Sequence, residues 1–162
     1  GEILKSIFAT NSVVVTNSQI IIGSIVNTAL IMAALNLKGW KNIFGVVTMP
    51  SIATILGGYV FKTASVYMVY MIPAIWIGNF ALVYSFKLIM LAKQKNYFLA
   101  GTVGIIVKVA VIFGCFSLLR LMGVFPEKLV STLQTAMSST QGITATIGMI
   151  IAFVIYKVQN RK

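Results

Sequence analysis

Lys108 is the side chain with the most chemistry to offer, because it sits near the middle of the apolar run 97–119. A cation at that depth in a membrane costs a few kcal/mol or more unless it is paired or hydrated. The chain has two acids, Glu2 and Glu127, and neither lies inside an apolar run. The partners open to Lys108 are therefore helix carbonyls, Asn27, Asn79, a water-filled cavity or an anionic ligand. Asn79 falls in another apolar run, on a helical stripe with Trp76, Phe80, Tyr84 and Lys87. A buried amide is costly unless bonded, so Asn79 should face the interior and meet a neighbouring helix or a ligand. Gln141 and Thr144 open the last run and could line the same space. Trp76, Asn79, Lys108, Gln141 and Thr144 are thus the candidate substrate-binding residues, and a lysine without an acid would suit an anionic or carbonyl-rich solute. The competing reading is packing, since Asn, Gln and Trp serve in both. Asn27, midway along the first run, reads as packing glue between helices. Lys87 lies close enough to a helix end to snorkel to the headgroups.

Enzymatic chemistry finds little to work with. There is no histidine to activate a serine, no carboxylate pair for acid–base catalysis, and no Gly-x-x-x-x-Gly-Lys phosphate loop. Cys115 is the single cysteine, so no internal disulfide can form and cysteine and histidine cannot build a metal site. The expectation is a protein that is not an enzyme and needs no metal or cofactor, with any ATP hydrolysis supplied by another subunit.

The elements that must position these residues follow from composition. Apolar residues make up 59% of the 162 and charged residues 9%, against roughly a quarter charged in soluble domains. Runs that are apolar on every side belong in protein or lipid. The net charge of +11 could suggest nucleic acid, but the bases fall in short connections between apolar runs, which fits lipid headgroups instead. The fold expected is all-α, a polytopic membrane helix bundle in a single transmembrane domain over 1–162. A span needs about twenty apolar residues, which gives five, at about 18–35, 43–61, 73–92, 97–119 and 141–157. Pro73 should break the long run 66–92, leaving 66–72 as a loop or half-helix, and a short amphipathic element is expected over 129–140. No signal-peptide pattern opens the chain, and its start at Gly1 reads as a fragment or processed product.

Five spans put the termini on opposite sides. One side then holds Lys38, Lys41, Lys93, Lys95, Lys157, Arg161 and Lys162. The other holds Lys5, Lys62, Arg120, Lys128 and both acids. The first side should be cytoplasmic, with the N-terminus outside and the C-terminus inside the cell membrane. Helices associate in lipid through small residues. Ala74, Gly78, Ala81 and Ser85 form one such face, Gly142, Ala145, Gly148 and Ala152 another, and Gly101 and Gly104 open the fourth span. Ala29 and Ala33 are a further small pair that could dock a partner.

The order of three segments carries a resemblance. These are Gly23-Ser24-Ile25-Val26-Asn27-Thr28-Ala29-Leu30, Val47-Thr48-Met49-Pro50-Ser51-Ile52-Ala53, and Tyr70-Met71-Ile72-Pro73-Ala74-Ile75-Trp76-Ile77-Gly78-Asn79-Phe80-Ala81-Leu82-Val83. Over residues 20–86 the chain resembles small bacterial membrane proteins related to the substrate-binding S components of energy-coupling factor transporters. Some members of that group bear an iron-hydrogenase label, which does not suit a chain without histidine. The resemblance implies a six-helix fold of which this chain lacks the first helix, with 1–17 as the outer loop before its first span. It also implies capture of a vitamin or other micronutrient, with a transmembrane T component and two ATPases driving release. The family's docking motif usually lies on the missing helix, so Ala29 and Ala33 do not inherit its role. Two other readings stand beside this one: an accessory or assembly protein of a membrane complex without a small-molecule ligand, and a stand-alone channel or secondary carrier.

Overall fold

The computed structural model describes residues 2–57 and 65–161, and every regular element among them is helical. In chain order these are α1 (Glu2–Asn36), α2 (Trp40–Gly57), the short α3 (Ser65–Met68), α4 (Ile72–Ser85), α5 (Tyr97–Leu121), α6 (Glu127–Met137) and α7 (Ser139–Gln159). Among the described residues, four stretches are long and apolar enough to cross a membrane, namely Gln19–Asn36, Val66–Ala92, Tyr97–Leu121 and Glu127–Gln159. Helix α2 adds eighteen residues and leads into 58–64, so the end of the expected span 43–61 lies outside the described residues. The chain is an all-helical membrane bundle.

Local chemistry explains the breaks. Gly39 adopts φ 87°, a left-handed conformation that glycine tolerates, and reverses the chain between α1 and α2. Pro73 falls in the first turn of α4, where its missing N–H costs nothing. The residues before it form α3 and a 3-10 turn, Val69–Met71. Beyond Ser85 the helix widens into a π-helical segment, Phe86–Ala92, closed by bonds such as Lys93 N–H to the Leu88 carbonyl at 3.0 Å. At the far end of α5, Gly123 has φ 73°. The Gly123 N–H donates to the Arg120 carbonyl and the Val124 N–H to the Leu119 carbonyl, closing the helix as a left-handed glycine cap does. The amphipathic element expected over 129–140 appears as α6. Its Val130, Leu133, Ala136 and Met137 point into the core.

Residues 2–17, expected as an outer loop, are instead helical and continuous with α1. Ile3, Leu4, Ile7 and Phe8 repeat at helical spacing, and no glycine or proline interrupts the segment after Gly1. At 1.5 Å per residue α1 extends for about 50 Å, well beyond the roughly 30 Å of a hydrocarbon core.

Two apolar clusters fill the bundle. One joins Leu30, Ile31, Leu82, Val83, Phe86, Tyr97, Met149 and Ala152. The Tyr97 hydroxyl donates to the Met149 carbonyl at 2.7 Å, which satisfies its buried oxygen. The other joins Met68, Met71, Ile112, Phe116, Phe125, Leu133 and Met137. Along α5 the first cluster takes Tyr97 to Ile105 and the second Ile112 to Leu119, so Lys108 lies between them.

Candidate functional site: a polar layer around Lys108

Small residues bring the helices close at this level. A methyl group on Gly148 of α7 would lie 2.7 Å from Asn27 Cβ and 2.9 Å from the Thr28 backbone nitrogen of α1. One on Gly23 of α1 would meet Thr144 of α7 at 2.8 Å. The two helices therefore cross with their backbones almost in contact, as small residues permit in lipid. The same device operates between α4 and α5. A methyl on Gly78 would strike Ile112 at 2.9 Å and approach the Lys108 stem at 3.3 Å, and one on Gly104 would meet Leu82 and Ser85.

Lys108 is 2% exposed, and Asn27 and Thr144 are equally buried. The Lys108 ammonium donates to Asn27 Oδ1 at 2.5 Å. The Asn27 amide in turn donates to the Gly23 carbonyl at 2.8 Å and to Thr144 Oγ1 at 3.3 Å. The Thr144 hydroxyl donates to the Thr140 carbonyl at 2.8 Å, with the Gln141 carbonyl 3.2 Å away. These bonds fix which end of the Asn27 amide is oxygen, because a lysine offers only donors. They also bind α5 to α1 and α1 to α7 through one residue.

An ammonium has three donors, and among the described residues only Asn27 accepts from this one. The two carboxylates begin α1 and α6. The α5 helix alone runs about 20 Å from Lys108 to Leu121, before the connection to Glu127. The centre is thus a cation enclosed by neutral groups. An incoming carboxylate, phosphate or carbonyl oxygen would complete its hydrogen bonding, and an anion would also neutralise it.

The other sequence candidates divide. Thr144 joins Lys108 through Asn27. Gln141 contributes its backbone carbonyl, while its side-chain amide donates to the Ala136 carbonyl at 3.2 Å and ties α7 to the end of α6. Asn79, 3% exposed, donates to the Val47 carbonyl of α2 at 3.3 Å. Trp76 packs edge-on against Phe44 of α2, with ring centroids 6.2 Å apart, and its buried indole N–H has no acceptor among the described residues. Asn79 and Trp76 therefore engage α2, whereas Lys108 engages α1. Ala33 is buried and Ala29 is exposed, so the pair does not form one open docking surface. The residue missing from the expected set is Asn27, the hub of the layer. Its signal was an amide inside an apolar run, one helical turn after Gly23.

Comparison of the chain with known protein families, curated proteins and solved structures finds no match. Fold and site together define a helical membrane bundle with a buried, acid-free lysine in a polar layer between two apolar clusters.

Proposed function

We propose that this protein is a substrate-binding membrane subunit of an energy-coupling factor type uptake system, an S-component-like protein that captures an anionic or carbonyl-rich micronutrient. The observation that carries the reading is Lys108, enclosed with a single neutral acceptor among the described residues. A lysine that served only packing would be costly to keep, because apolar residues of similar volume fill such positions at no electrostatic cost. The resemblance over residues 20–86 supports the same reading. On this account a T component and two ATPases complete the transporter, and the bundle lies in the cell membrane with its C-terminus cytoplasmic.

An accessory or assembly subunit without a ligand is the second reading. The amides of Asn27 and Asn79, both bonded to protein groups, favour it, because they leave fewer free polar atoms for a solute.

Thermal unfolding of the purified protein in the presence of anionic, water-soluble micronutrients separates the two. A ligand at a hundred times its Kd should stabilise the fold by about 2.7 kcal/mol, and Lys108→Met should abolish that gain while remaining folded. Stabilisation by no such compound, or equal stabilisation of the variant, would favour the accessory reading.

A further inference from the structure

A second feature lies at one end of the bundle, away from the Lys108 layer, and does not depend on the transport reading. Helices α1, α2, α5 and α7 meet there with the π-helical segment. Tyr97 at the start of α5 stacks with Tyr156 near the end of α7 at 6.2 Å, and the Lys87 ammonium donates to the Leu37 carbonyl at 2.9 Å. Lys38, Lys41, Lys93, Lys95, Lys157 and Arg161 are all exposed at this end. The chain's acids begin α1 and α6, at the other end.

Next to Lys38 and Lys41, an aromatic face is left open between α2 and α4. Trp40 packs on Phe80 at 5.5 Å, Phe80 stacks with Tyr84 at 6.1 Å, and Phe44 continues the row one turn further along α2. Trp40, Phe44, Phe80 and Tyr84 are 53, 63, 42 and 45% exposed. Tryptophan and tyrosine belong where lipid headgroups meet acyl chains, and exposed lysines just above attract negative headgroups. The bond from Lys87 to Leu37 ties the α1–α2 connection, which carries Lys38, to the segment that follows Phe80 and Tyr84.

We propose that Lys38 and Lys41, with the Trp40–Phe80–Tyr84 face, form a site for one anionic phospholipid. Its phosphate lies against the two ammonium groups and its acyl chains against the rings. Charge complementarity selects this occupant, since a cationic pair with no carboxylate neighbour among the described residues suits an anionic headgroup and gives a partner helix no ion pair unless that helix is acidic.

The test is native mass spectrometry of the detergent-purified protein titrated with phosphatidylglycerol or with phosphatidylcholine of the same acyl chains. One phosphatidylglycerol should be retained in preference to phosphatidylcholine. Lys38→Gln with Lys41→Gln should weaken that retention roughly 25-fold, at about fivefold per lysine. Lys93→Gln with Lys95→Gln should leave it unchanged. Circular dichroism checks folding, and Lys41→Gln alone supplies the reading should the double variant unfold. Equal retention of both lipids, or equal losses in the two double variants, would overturn the site and leave only diffuse surface charge.

Discussion

Removing Asn27 and removing Lys108 should have unlike consequences for the fold, because only one of them leaves a buried charge behind. Asn27→Leu keeps the volume but strips Lys108 of its acceptor among the described residues and Thr144 of its donor. Loss of one partner of a buried charged bond is expected to cost about 3 kcal/mol. Lys108→Met removes the charge itself and should be close to neutral. The double variant should therefore be more stable than Asn27→Leu alone, a reversal that unfolding measurements on all four proteins would detect. If the costs of the two single changes simply added, the bond would carry no coupling. The polar candidates were legible because an amide or ammonium inside an apolar run must find a partner. Which partner was legible only in part: Asn27 stood among those open to Lys108, but Asn79 bonds a backbone carbonyl, Val47, and no residue type marks a carbonyl as free to accept.

At the scale of elements, the crossing of α1 and α7 depends on Gly148, whose missing side chain admits the Asn27 and Thr28 backbone. Gly148→Ala should force the helices apart and lower stability by about 2 kcal/mol, within the range for overpacked cores. Gly114, with nothing within 4 Å of an added methyl, is the control. Gly114→Ala should be neutral or gain up to about 1 kcal/mol from helix propensity, and matching unfolding curves for the two variants would refute the close crossing. Small-residue spacing in the last span pointed to such a contact. The π-helical segment Phe86–Ala92 was not legible, because a shift from i→i+4 to i→i+5 bonding leaves the apolar pattern almost unchanged. The helical start of α1 departs from the outer loop that the resemblance implied, although its apolar residues keep helical spacing.

For the molecule as a whole, the charge pattern follows from the membrane, because the exposed bases fall at the ends of apolar helices and in the connections between them. The exposed cations at the Lys38 and Lys93 end predict that this end is cytoplasmic. A cysteine placed at Asn160 in a Cys115→Ser background should react with a membrane-impermeant thiol reagent only after the cells are opened, and one at Ser131, exposed on α6, should react in intact cells. The opposite labelling would invert the orientation.

Capture of a solute at Lys108 is tested most directly by native mass spectrometry of the full-length protein, extracted gently from its own membrane. The account predicts a small anionic or carbonyl-rich molecule of defined mass on the wild-type protein and its loss from Lys108→Met, with a T component and ATPases retained in the wild-type complex. A wild-type protein free of any small molecule, or the same molecule held equally by Lys108→Met, would contradict it.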